Sequence, residues 1–108
     1  MSFKVEVTSY FKKQAKHLLK KYPSLKTELY ELTVSLEENP EQGVSIGNHC
    51  FKIRMAIASK GKGKSGGARV IIHVQVQQTK VYMLSIYDKS EQKNLSDKEL
   101  QMLLKQIP

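Results

Sequence analysis

The chain has 108 residues, enough for one small domain with a single core, and residues 1–108 are expected to form it. Lys and Arg total 18 against 10 acidic residues, a net charge of +8 that points to a polyanionic partner, nucleic acid or an acidic protein. The single cysteine, Cys50, excludes an internal disulfide and fits a reducing cytoplasm. No long apolar run marks a membrane span, and the opening "MSFKVEVTSY" lacks the apolar stretch of a signal peptide.

In chain order, "FKVEV" alternates with Phe3, Val5 and Val7 on one face, which predicts a first strand. Thr8 or Ser9 can cap a following helix whose apolar stripe is Phe11, Ala15, Leu18, Leu19 and Tyr22. Pro23 and Ser24 end it and start a second, with the stripe Leu25, Leu29, Leu32 and Leu36 stopped at Asn39-Pro40. After a loop, "HCFKIRMAI" alternates again: Phe51, Ile53, Met55 and Ile57 take one face, Lys52 and Arg54 the other. A further strand follows, with Val70, Ile72, Val74 and Val76 on its apolar face. A short turn leads to "VYMLSIY", where plain alternation turns Tyr82, Leu84 and Ile86 inward and Met83, Ser85 and Tyr87 outward. Near the end, Ser96 with Glu99 reads as a capping box, Leu95 with Leu100 as a hydrophobic staple, and Leu100, Leu103, Leu104 and Ile107 as a buried stripe. The expected fold is α+β in the order β-α-α-β-β-β-α: an antiparallel-rich sheet, two N-terminal helices on one face, and a C-terminal helix.

The loop "SKGKGKSGGARV" carries Lys60, Lys62 and Lys64 among glycines that let a backbone approach an anion. It is not a nucleotide-binding P-loop. Gly63, Lys64 and Ser65 match the end of that motif, but Ala58 stands where its first glycine belongs, and a strand follows rather than a helix. A solvated hairpin tip and a phosphate grip both remain open for it. His17, His49 and His73 are too scattered for a metal site, and no cofactor is implied. Strand alternation gathers Lys52, Arg54, Arg69, His73 and Tyr87 on the face away from the two helices, with Lys89 just beyond.

Taken together, "FKKQAKHLLKKYPSL", "CFKIRM", "GKSGGARVI" and "IYDKSE" resemble the RelE/ParE superfamily of toxins from type II toxin–antitoxin modules. The resemblance is closest to the RelE and HigB-like branch that cleaves mRNA on the ribosome. It implies a RelE-like fold and assigns catalytic roles to Lys52, Arg54, Arg69, Tyr87 and Lys89, with no metal. RelE has arginine where this chain has Lys89, which lacks the bidentate fork. RelE also has glycine in place of Tyr87, and a tyrosine where this chain has Leu95. The implied reaction is attack of a ribose 2′-hydroxyl on the adjacent phosphate. Arg69 would steady the charge on phosphorus. Lys52 would serve as base, helped by Arg54, since crowding by other cations makes a lysine give up its proton more readily. Lys89 or Tyr87 would act as acid. Lys60, Lys62, Lys64 and His73 are the candidate RNA- and phosphate-binding groups, with His73 as another candidate base.

The implied partners are the ribosome and mRNA, and a cognate acidic antitoxin of the kind that usually carries a DNA-binding domain, often helix-turn-helix. Operator DNA would be reached only through that antitoxin. No membrane is involved, and the expected location is the cytoplasm. The alternatives are a ParE-like toxin that inhibits DNA gyrase and a non-catalytic RNA- or ribosome-binding module.

Overall fold

A computed structural model describes residues 2–61, 63 and 66–108. The chain runs β1 (Lys4–Val7), α1 (Ser9–Lys21), α2 (Leu25–Glu38), β2 (Val44–Gly47), β3 (Cys50–Met55), a 3-10 turn (Ala58–Lys60), β4 (Ala68–Gln75), β5 (Lys80–Asp88) and α3 (Asp97–Leu104). The strands form one sheet in the order β1-β5-β4-β3-β2. β1 lies parallel to β5 and the other neighbours are antiparallel. No helix among the described residues is long and apolar enough to cross a membrane.

The expected α+β architecture is present, with one strand that alternation did not reveal. β2 is short, and its Val44 is exposed, so it offers little apolar pattern to read. Its pairing with β3 carries an irregularity between Ser45 and Gly47. It is led in by Gly43, whose φ of +89° suits glycine. A Cβ there would lie 2.3 Å from the Lys52 carbonyl oxygen, so the backbone of β3 leaves no room for a side chain.

Both faces of the sheet are covered. On one, Phe11, Ala15 and Leu18 of α1 and Leu25 and Leu36 of α2 pack on Ile53, Val70, Ile72, Val74, Val81, Met83 and Ile86. Leu19, expected in the α1 stripe, is exposed, as is Val76, which lies beyond the end of β4. On the other face, Leu100 and Leu103 of α3 pack over Ile71, Tyr82, Leu84 and Tyr87. The capping box of α3 forms as read: Ser96 Oγ accepts from the Glu99 N–H at 3.1 Å, and Glu99 accepts from the Ser96 N–H at 3.2 Å. Thr8 caps α1 by accepting from the Phe11 N–H at 3.2 Å, and its hydroxyl also donates to the Met83 carbonyl, tying the helix start to β5.

The inward set of β5 differs from plain alternation. Ile71 pairs with Ser85 but Ile72 pairs with Met83, so Leu84 is an extra residue, a β-bulge. Val81, Met83 and Ile86 therefore face the helices, while Tyr82, Leu84 and Tyr87 face α3. Beyond Val7 the outer edge of β5 has no strand neighbour among the described residues, and Gln14 of α1 closes it. Its side-chain oxygen accepts from the Ile86 N–H at 3.1 Å and the Ser85 hydroxyl at 2.9 Å.

The two glycines around β2 give a direct check. Gly47 also has positive φ, but nothing lies near a Cβ built on it. Gly47→Ala is expected to lose about 1–2 kcal/mol for left-handed backbone alone. Gly43→Ala is expected to lose clearly more, because the β3 backbone must also move. Urea unfolding of the two variants measures the difference.

Candidate active site

The sheet ladder itself assembles the basic residues. Arg54 of β3 pairs with Arg69 of β4, which pairs with Tyr87 of β5, and directly opposed residues share a face. The three side chains thus leave the sheet abreast, with neighbouring Cα atoms about 5 Å apart. Lys52 sits two residues along β3 on the same face, about 7 Å from Arg54. Lys89 follows β5, and its N–H donates to the Gly67 carbonyl at 3.0 Å. Gly67 is itself pressed so closely on β3 that a Cβ would lie 2.2 Å from the Met55 carbonyl oxygen. That close approach sets where β4 begins, and so where Arg69 stands.

Depth differs across the row. Arg54 is exposed and Lys52 and Lys89 are half-buried, but Arg69 and Tyr87 are each only 4% exposed. Arg69 donates from Nη1 to the Ala68 carbonyl at 3.2 Å. The Tyr87 hydroxyl is buried and has no hydrogen-bond partner among the described residues. Burial raises the Tyr87 pKa, Arg69 opposes the rise, and Glu99 adds to it. The Lys89 amine donates to the Lys93 carbonyl at 2.7 Å. Its pKa is lowered, first by desolvation and then by Arg69, Lys52, Arg54 and Lys93 in turn. The structure therefore brings together Lys52, Arg54, Arg69, Tyr87 and Lys89.

Two of the expected phosphate-binding groups, Lys60 and His73, lie away from this row. Lys60 turns inward: its side chain is 9% exposed, and its ammonium forms an ion pair with the fully buried carboxylate of Asp88. The same carboxylate accepts from the Tyr22 hydroxyl at 2.5 Å and from the N–H and hydroxyl of Ser90 at 2.9 and 2.7 Å. Lys60 is thus held as a structural cation rather than offered to an incoming phosphate. Lys62 and Lys64 lie outside the described residues. His73 is on the expected face but four residues down β4 from Arg69, about 13 Å away. It sits edge-on to His49, with ring centroids 6.4 Å apart, and its Nδ1 is 3.5 Å from Cys50 Sγ. Burial lowers its pKa, the Asn48 backbone partly offsets this, and His49 adds to the lowering. Burial also pushes the Cys50 thiol up to about 11, so it is an unreactive core group. Among the described residues, no group of three or more His, Cys, Asp or Glu is placed to hold a metal ion.

Asp88 and Tyr22 are the residues that sequence reasoning missed. The signal was present in "IYDKS": an acidic residue directly after an apolar strand, between two residues already singled out. Its partners, 28 and 66 positions away, could not be read from spacing.

Residues 4–107 match the family described as "RelE toxin of RelE / RelB toxin-antitoxin system". The chain belongs to the RelE toxin family. It is a toxin of the toxin–antitoxin type, and the family implies a cognate antitoxin. Its fold is similar to that of E. coli toxin RelE. The free-state structure of a variant with two arginines replaced by alanine gives a TM-score of 0.62 at 15% identity, covering 100% of both chains. The crystal structure of the isolated E. coli RelE toxin gives 0.57 at 15% identity, covering 99% of this chain and 100% of that one.

The Asp88 cluster should show in acid unfolding. Burial alone would raise its carboxyl, but Lys60, Tyr22 and Ser90 outweigh that and hold it well below the usual carboxylate range. With the folded pKa below the unfolded value of about 4, the unfolded chain binds the extra proton. This contribution is full above about pH 4–5 and is lost as pH falls toward the folded pKa. Asp88→Ala is expected to cost about 3–5 kcal/mol at neutral pH, since it leaves a nearly buried ammonium unpaired. Its stability should also fall less than wild type between about pH 5 and pH 2, measured by urea unfolding across that range.

Proposed function

We propose that this RelE-family toxin is a ribosome-dependent mRNA endonuclease that blocks translation without using a metal ion. The observation that carries this reading is the cross-strand row Arg54, Arg69 and Tyr87, flanked by Lys52 and Lys89, four cations and a phenol on one side of the sheet. The reaction transfers the 2′-hydroxyl proton of one nucleotide to a base while that oxygen bonds to phosphorus. The bond from phosphorus to the 5′-oxygen of the next nucleotide breaks, and an acid protonates the departing oxygen. The products are a 2′,3′-cyclic phosphate and a 5′-hydroxyl.

The residues fit these roles. Arg69, held at the start of β4, supplies a planar fork for the phosphate oxygens as charge builds on them. Lys52 takes the 2′-hydroxyl proton, with Arg54 beside it holding the phosphate. Lys89 is the acid: desolvation first, and then surrounding positive charge, weakens its hold on its proton, which moves its pKa toward the working pH. Tyr87, in the same row, keeps its proton through burial and can donate a hydrogen bond to the phosphate or the leaving oxygen. A set without a strong neutral-pH base depends on precise placement of the RNA, which is what a ribosomal decoding site provides.

Mapping mRNA 5′ ends after induced expression in bacteria tests the reading. Wild-type protein is expected to produce cuts within translated codons; double-strand DNA breaks instead would favour the gyrase-inhibiting alternative. Arg69→Lys keeps the charge but loses the fork and is expected to lower cleavage by about 100-fold or more. Because Arg69 is buried, circular dichroism of Arg69→Lys and Arg69→Ala must show intact folds. Full toxicity in either folded variant would remove Arg69 from the mechanism.

A net charge of +8 also favours an acidic antitoxin that neutralises the basic face. It acts in the cytoplasm and links the toxin to operator DNA through its own DNA-binding domain. Stopped-flow association with the neighbouring gene product should slow by about tenfold or more as salt rises from low to well above physiological strength. A salt-independent rate would show that charge does not steer the pairing.

A further inference from the structure

The solvent face of α1 carries a second set of cations, on the side of the sheet away from the row of Arg54, Arg69 and Tyr87. Lys12, Lys13, Lys16, His17, Lys20 and Lys21 are all exposed, and the helix contains no acidic residue. Its neighbour α2 contains four: Glu28, Glu31, Glu37 and Glu38. Phe11, Ala15 and Leu18 bury one side of α1. At about 100° per residue, Lys13, Lys16 and Lys20 point directly away from that side, with Lys12 and His17 flanking them. Of the helix's five lysines, only Lys21 is paired with a carboxylate among the described residues, Glu91 at 3.2 Å. This arrangement works against the helix. Lys12 and Lys16, and Lys16 and Lys20, set like charges one turn apart, and Lys12 and Lys13 stand near the positive end of the dipole. A face that needed only to stay wet would do so with mixed signs.

We infer that this face of α1 docks the toxin on the sugar–phosphate backbone of ribosomal RNA, while the opposite side of the sheet holds the mRNA. The inference rests on the ribosome-dependent part of the proposed function and adds a surface to it. A protein that reaches mRNA inside a ribosome has ribosomal RNA behind it as well, and this one is cationic on both sides. Lysine serves a phosphate as a point charge and needs no shaped pocket. Lys12, Lys16 and Lys20 follow one another at about 6 Å along the helix axis, the scale on which phosphates follow one another along a strand. A protein partner calls for the opposite composition, since protein interfaces have an apolar centre and are depleted in lysine. Here lysine is the centre, and the exposed apolar side chains of the helix, Tyr10 and Leu19, lie toward opposite margins. Contacts of this kind fix position and carry no sequence information.

The test measures binding across a salt series to ribosomes carrying an mRNA whose cut-site nucleotide is 2′-deoxy, so that nothing is cleaved. The combined variant Lys12→Gln, Lys13→Gln, Lys16→Gln and Lys20→Gln is expected to bind about tenfold or more weakly. The slope of log affinity against log salt should fall by about 0.7–0.9 for each lysine in contact. Single-turnover cleavage of ordinary mRNA should then need correspondingly more protein to reach half its full rate, with the rate at saturation unchanged. Folding stability should stay level or rise, because like-charge repulsion has been removed. The same four positions changed to arginine should keep wild-type binding. Changing Lys4, Lys26, Lys98 and Lys105 to Gln, all exposed and outside α1, removes the same net charge and should cost clearly less. Unchanged affinity and slope in the α1 variant, an equal loss in that control, or loss of antitoxin binding with ribosome binding intact would each overturn the inference and leave the nuclease reading in place. Ribosome binding that depends on these lysines, without any cleavage by the wild-type protein, would support the docking face and overturn the nuclease reading.

Discussion

The buried carboxylate of Asp88 is the contact on which the site's geometry depends. It joins the end of α1 through Tyr22, the turn after β3 through Lys60, and the end of β5 through Ser90. These segments are distant in sequence, and no sheet hydrogen bond connects them. A charge placed where water is scarce is tolerable only when it is paired and its remaining acceptor positions are filled, and here they are. Asp88 lies between Tyr87 and Lys89, so fixing its side chain toward the helices fixes its neighbours too. Tyr87 must point to the opposite face, and Lys89 must leave the strand beside the Gly67 carbonyl.

The same contact sorts the cations into two kinds. Lys60 is consumed by Asp88 and belongs to the fold. Lys52, Arg54, Arg69 and Lys89 instead stand close enough to one another that the other three all make it harder for Lys89 to stay charged. Such crowding opposes folding and favours any polyanion that relieves it, whether a phosphodiester or an acidic antitoxin. Under the proposed function, substrate and antitoxin would draw on the same electrostatic source.

Much of this was legible in the sequence, for reasons that also explain what was not. The helices announced themselves through stripes and caps; Ser96 and Glu99 encode a local geometry that needs no tertiary partner. The face bearing Lys52, Arg54 and Arg69 followed from alternation in β3 and β4, where polar and apolar positions differ. β5 defeated that rule. Val81, Tyr82, Met83, Leu84, Ile86 and Tyr87 are all buried, because α1 covers one side of the strand and α3 the other, so the sequence carries no parity and the bulge at Leu84 leaves no mark. β2 was missed because four largely exposed residues leading up to Gly47 have no pattern to show. Lys60 was misjudged because a lysine in a glycine-rich loop looks the same whether it faces solvent or a buried carboxylate 28 residues away.

A likeness in fold to E. coli RelE at 15% identity shows how little of the packing must be kept for this arrangement to persist. Core side chains can be exchanged freely if volume and pattern survive. What cannot drift is register, since a slip of one residue between β3, β4 and β5 would send Arg54, Arg69 or Tyr87 to the helix side. Within a fixed register, the chemistry at a position can still change. At the position of Lys89 the resemblance puts an arginine in RelE, and a guanidinium keeps its proton at any pH a protein survives. It can hold a phosphate there but cannot give up a proton. A lysine amine partly desolvated and ringed by Arg69, Lys52, Arg54 and Lys93 can do both. In the proposed mechanism the replacement would lose the bidentate grip and gain a transferable proton, and Tyr87, its pKa raised by burial, would be a second, weaker acid beside it.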